Sequence, residues 1–141
     1  LLMINTDVGG PVLGREGIAV TGEEDLVHYL RYATQVRGLS AEVKQGIYSS
    51  DSIPFADSGI PAVNFTRFGA PGAAYIHNRF DTMAFLSAEA LEKTARNVLA
   101  FSQDMVNAAA FPVKREIPKN MVEEVEKYLF KKELAEAEEK K

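Results

Sequence analysis

At 141 residues the chain is the size of one domain, and 46% hydrophobic with 26% charged residues is an ordinary globular composition. A net charge of −4 with scattered Lys and Arg leaves no basic patch for nucleic acid, and no apolar run approaches the roughly 20 residues that span a bilayer. The absence of cysteine removes disulfides and thiol nucleophiles from consideration.

The chain opens on Leu1-Leu2-Met3-Ile4-Asn5-Thr6-Asp7, already inside an apolar run, with no initiator Met, polar lead-in or signal-peptide pattern. Termini are usually frayed and polar, so this start reads as the downstream part of a longer protein, for which cytoplasmic and secreted settings stay equally open. Residues 1–4 suit a strand buried on both faces of an α/β sheet, ended by Gly9-Gly10-Pro11. Asp7 then sits just past the carboxyl end of that strand, where ligands bind in open α/β sheets; the plainer reading is a turn residue before glycines.

Residues 17–22 are a second strand candidate. Residues 23–37 read as an amphipathic helix, with Leu26, Tyr29, Leu30 and Ala33 at helical spacing, Glu23, Glu24 and Asp25 at its positive end, and Gly38 as its stop. His28 lies off that stripe and faces solvent. Residues 42–48 alternate as a strand. Ser50 or Asp51 can cap a short helix with Pro54 in its first turn, and Gly59 ends it. Residues 60–65 give the next strand, with Pro61 at its start.

A loose Gly/Ala/Pro run then leads to Tyr75-Ile76-His77-Asn78-Arg79-Phe80-Asp81-Thr82, which holds one of the two histidines. Histidine is the commonest metal ligand, and loops between rigid elements concentrate binding residues. The Asp81 carboxylate, four positions on, can orient the imidazole. Residues 88–109 form the clearest helix, with Ser87 as N-cap and a Leu86–Leu91 hydrophobic staple. Leu91, Ala95, Val98, Leu99, Ser102, Met105 and Val106 are expected on its sheet-facing side. Residues 111–118 act as a linker. Residues 119–141 are a further helical segment with Met121, Val122, Val125, Leu129 and Leu134 as its stripe, solvated beyond Glu133.

Alternating strands and helices argue a layered α/β domain. Asp7, Asp51, His77 and Asp81 fall at strand ends or in the loops that follow, and no Gly-rich phosphate loop or nucleophile elbow competes with them. Asn5-Thr6-Asp7 resembles the Asn-x-Asp of the di-zinc aminopeptidases, the family of bacterial leucyl aminopeptidases and related zinc exopeptidases. The run from Ser50 to Ala62 resembles that family's Ser-Asp-His-x-x-Phe-x-x-x-Gly-Ile-Pro-Ala segment, and residues 75–82 are similar to its Tyr-His-x-x-x-Asp-Thr.

The resemblance implies a three-layer α/β/α domain with a mostly parallel or mixed sheet, incomplete at its N-terminus. Residues 1–110 would be the C-terminal part of the catalytic domain, and residues 111–141 a linker with a C-terminal helix and charged tail. Asp7 matches a carboxylate ligand of one zinc ion and His77 an imidazole ligand of the other, in a site that holds two. Asp51 and Asp81 match positions that support the ligands from behind. Residues 64–74 match the loop that shapes the substrate pocket, with Phe65 and Phe68 as candidate walls.

Three departures stand out. Ser52 replaces a common His, and Ile76 separates Tyr75 from His77, so Tyr75 is only a candidate oxyanion stabiliser. The upstream His, the bridging Asp and the Glu-Glu pair that gives the general base have no match. Glu23-Glu24 lies on the wrong side of Asp7 and is better explained as a helix start.

The expected whole is thus a zinc-dependent aminopeptidase acting on peptides, with this chain inactive alone. A non-catalytic interaction relative and a carboxypeptidase or cyclase relative are the alternatives. A sheet with a bare edge also favours homo-oligomer formation, or pairing with an N-terminal part.

Overall fold

A computed structural model describes residues 1–69 and 75–138. Four strands, β1 (Met3–Thr6), β2 (Arg15–Thr21), β3 (Glu42–Gln45) and β4 (Ala62–Phe68), form one sheet in the order β1-β4-β2-β3. β1 runs parallel to β4, β3 runs parallel to β2, and the two pairs meet antiparallel at β2–β4. The sheet is therefore mixed. Among the described residues five helices accompany the sheet: α1 (Glu24–Val36), α2 (Ile53–Asp57), α3 (Ala88–Asn107), α4 (Lys119–Tyr128) and α5 (Lys131–Glu138).

Strand periodicity sorts the side chains into two faces. Ile18, Val20, Val43, Val63 and Phe65 point to one side and join Leu26, Val27 and Leu30 of α1 and Phe101 and Met105 of α3 in the main core. The other side is more polar. There Asn64 and Thr66 of β4 meet the segment before α2, with Ser50 Oγ donating to Asn64 Oδ1 at 2.9 Å and the Tyr48 hydroxyl 3.1 Å from Thr66 Oγ1. α4 packs on α2 and buries Met121 and Val125, and a Lys131–Asp57 ion pair carries the contact into α5.

Two helices depart from expectation. On α3 the buried residues are Ala90, Thr94, Asn97, Phe101 and Met105, whereas Leu99 is 58% and Val106 83% exposed. The stripe is rotated because Thr94 turns inward to bond a carboxylate and a carbonyl, so polarity misreads the inner side. The C-terminal segment is two helices, broken at Leu129–Phe130. Phe130 adopts φ 54°, which ends α4, and its carbonyl accepts from Leu134 as α5 begins. No side chain of α5 is buried among the described residues. Smaller expectations hold: His28 is exposed, and the Ser87 side chain accepts from the Ala90 amide.

The two edges of the sheet differ. Along β3, Arg31 donates through Nε and Nη2 to the Val43 carbonyl at 3.2 and 3.0 Å, and Glu42 pairs with Arg15 and Lys44. Charge and capping of this kind deter a further strand. β1 reads Met-Ile-Asn-Thr without charge, beside a groove of about 500 Å³ lined by Leu1, Leu2, Ile4, Met105, Val106, Ala108 and Phe111. Across the β2–β4 seam Gly17 lets the Phe68 ring lie against the backbone, since a Cβ there would meet the ring at 2.0 Å.

α1 and α3 are joined by a polar clasp. Tyr29 Oη and Arg37 Nη2 both donate to the Asp104 carboxylate, the latter at 2.6 Å. Burial pushes the Asp104 carboxyl up, but the bonds from Arg37 and Tyr29 outweigh it and hold the group below its ordinary value. A depressed carboxylate stabilises the fold above its unfolded pKa of roughly 3.9, and that contribution fades as pH falls through the lower folded value. Asp104→Asn should thus cost about 1 kcal/mol near pH 7 and almost nothing in strong acid, as read by urea titrations at both pH values. Equal costs at the two would sink the linkage.

Candidate metal centre

β1 ends at Thr6, and the Asp7 amide continues its pairing by donating to the Phe65 carbonyl of β4 at 3.0 Å. The chain then turns at once. Val8 takes φ 52°, a region that a β-branched residue enters only under constraint. The constraint is visible on the far side of the turn. The Gly9 carbonyl lies 2.9 Å from Thr94 Oγ1, and the Gly10 carbonyl accepts from the Ser87 amide at 2.9 Å. Val12 N donates to the Phe85 carbonyl at 2.8 Å, and Pro11 forms an antiparallel bridge with Leu86.

These contacts bring the second candidate ligand into place. The 3₁₀ turn Met83–Phe85 and Leu86 directly follow the loop that carries His77 and Asp81, so the bridge at Pro11 fastens that loop to the Asp7 turn. Gly10 is needed at the crossing: a Cβ there would meet Leu91 at 2.9 Å and Leu86 at 3.0 Å. Those contacts also place the expected staple residues side by side over Gly10. The result is a cavity of about 340 Å³ lined by Asp7, Val8, Gly9, Gly10, Pro11, Ile76, His77, Asp81, Phe85, Leu86 and Leu91. His77 itself has φ 65° and is exposed, whereas Asp7 is half-buried.

The structure thus gathers Asp7, His77 and Asp81 and leaves other candidates elsewhere. Asp51 is exposed in the turn before α2 and does not line this cavity. Neither Ser50 nor Asp51 caps α2: Ser52 holds the N-cap position but its side chain bonds Ser50 Oγ and caps no helix amide, and Ser50 also bonds Asn64. Phe65 is 2% exposed in the main core, and Phe68 packs edge-on against Tyr48, so neither walls the cavity. Their place on the buried β4 strand explains why an apolar side chain there serves the core. Tyr75 packs its ring on Phe80 and Phe85, with centroids 6.2 and 5.0 Å away. Residues 70–74, the tail of the expected pocket loop, lie outside the described residues.

Sequence reasoning missed the apolar half of the cavity (Ile76, Phe85, Leu86, Leu91) and the groups that hold the turn (Glu16, Arg67, Thr94). A signal existed for one of them. A lone Arg67 inside the run Ala62–Phe68 calls for a buried carboxylate, because a charge is rarely buried unpaired.

A carboxylate and an imidazole facing one cavity are donors that suit a transition metal such as zinc. Among the described residues no group of three or more His, Cys, Asp or Glu is placed to hold a metal ion. The donor set fits part of a metal site rather than a whole one.

The fold matches two crystal structures of BSAP, a zinc aminopeptidase from Bacillus subtilis, with TM-scores of 0.58 and 0.57 at 24% identity. Each match covers 83% of this chain and 31% of the other, so the chain spans under a third of the length of those structures. Comparison with curated proteins gives no match. Residues 2–102 match the sequence profile of Peptidase family M28, and the chain belongs to that family.

Proposed function

We propose that this chain is the C-terminal portion of a zinc-dependent aminopeptidase, and that it contributes Asp7 and His77 to a two-zinc site. The observation that supports this reading most is the meeting of Asp7 and His77, from distant segments of the family match, across one cavity at the carboxyl end of β1. Zinc bound there would lower the pKa of a water molecule and polarise the scissile carbonyl of a peptide.

The chain's own residues hold and shape. Asp7 presents a carboxylate from a turn pinned on three sides, and His77 an imidazole from a loop tied to the same turn. Asp81, which lines the same cavity, would orient the imidazole by accepting from one ring nitrogen and leave the other for the metal. Ile76, Phe85, Leu86 and Leu91 give the cavity an apolar wall, which favours an apolar side chain and limits water.

The remaining ligands and the general base come from outside these residues, so the isolated chain is inactive. The same reading gives the uncharged β1 edge and its apolar groove a role. They receive the remainder of the domain, and in its absence a second copy.

Elemental analysis after dialysis against trace zinc tests the split site. Two protein donors are fewer than the three of a catalytic zinc, so little or no retained metal is expected. Two tightly held ions per chain would overturn the reading of a divided site. Peptidase assays on the longer protein, with and without chelator, then test the activity itself.

A further inference from the structure

We infer that Glu16 is the hub of a buried positioning network that holds the Asp7 turn in place against β2, β4 and α3, with Thr94 as its contact to that turn. The inference rests on the reading of Asp7 and His77 as metal ligands. Glu16 and Arg67 are each 8% exposed and form an ion pair between β2 and β4, opposite one another in the strand register. Arg67 stands near the end of β4, where the chain leaves for the His77 loop, and its Nη2 also donates to the Gly14 carbonyl at 2.9 Å. The second carboxylate oxygen of Glu16 lies 2.9 Å from Thr94 Oγ1 on α3. That hydroxyl is equally 2.9 Å from the Gly9 carbonyl, so its single proton is shared between two acceptors.

A buried ion pair is weak evidence of stabilisation, because an apolar pair of similar volume often does as well. This pair does something an apolar one cannot. Its spare oxygen reaches Thr94 and, through it, the carbonyl two residues past Asp7. The network therefore spans β2, β4, α3 and the Asp7 turn, and of its members only Gly9 lines the cavity. The left-handed Val8 beside it is a conformation that relaxes unless its neighbours hold it, and the Gly9 carbonyl is the nearest point of grip.

Thr94→Val removes the hydroxyl, keeps the shape and leaves the ion pair in place. Thr94→Ser keeps the hydroxyl. Hydrogen exchange on the metal-free chain is read at the Asp7 and Val12 amides, which flank the turn and bond to Phe65 and Phe85. In Thr94→Val these amides should exchange about five-fold faster, with the β2–β4 ladder unchanged and Thr94→Ser close to the parent. No acceleration at the turn, or equal acceleration through the ladder, would overturn the network.

Zinc titration of the same variants in the longer protein, followed by the His77 ring resonances, gives the second readout. Binding should weaken about ten-fold in Thr94→Val and recover in Thr94→Ser. A loosened turn with unchanged zinc affinity would overturn the network's link to the site. Zinc that leaves the His77 resonances of the longer parent protein unmoved would instead sink the ligand reading, and with it the metal part of this inference.

Discussion

Arg67→Met should destabilise the fold by about 3–5 kcal/mol, the cost typical of stripping one partner from a buried ion pair. The side chain is close in length, so the loss reports charge rather than volume. Glu16 would be left 8% exposed with no cation, and the Gly14 carbonyl would lose its donor. The double variant Glu16→Leu/Arg67→Met removes both charges and should recover most of the loss, although Thr94 then keeps only Gly9 as acceptor. Urea denaturation of the parent, the two single variants and the double closes the cycle and isolates the pairwise term. A cost near 1 kcal/mol for Arg67→Met would show that water reaches Glu16, and the pair would then count as a surface contact.

The second large effect concerns chemistry. In the longer protein, His77→Ala and Asp7→Asn should each lower peptidase activity by well over the roughly 100-fold at which the loss of a ligand's outer partner tops out. Asp81→Asn should fall inside that outer range, because Asp81 lines the same cavity and in the proposed site orients the imidazole without binding metal. Stability should hardly move in His77→Ala, since the side chain is exposed and the strain of φ 65° is relieved no further by alanine. Measured kcat and zinc content together decide the matter. Normal zinc content with lost activity would remove His77 from the ligand set, and full activity in Asp7→Asn would remove Asp7.

Much of the framework was legible because it rests on local rules. α1 begins at acidic residues and ends before Gly38, and Ser87 caps α3 as its hydroxyl suggests, whereas β1, expected to be buried on both faces, is a half-buried strand at the sheet edge. The Asp7–His77 meeting was legible only through family resemblance, since nothing local says that two distant segments share a cavity. What stayed hidden follows from tertiary context. Thr94 and Asn97 face inward on α3 while Leu99 and Val106 face out, an inversion that a hydrophobic stripe cannot reveal. Phe65 is a candidate pocket wall by the family resemblance alone, and its place on β4 beside Val63 puts both in the main core. The break at Phe130 has no glycine to announce it.

The seam between Gly17 and Phe68 carries a consequence for how this sequence can drift. A glycine within a strand is costly in entropy, and here the lost side chain is replaced by an aromatic ring lent from the neighbouring strand. The two positions then share one volume. Any residue larger than glycine at 17 requires a smaller one at 68, and a smaller residue at 68 uncovers the backbone of β2. Substitutions at the two sites should therefore be tolerated in pairs and rejected singly, so that in a randomised library they would be inherited together.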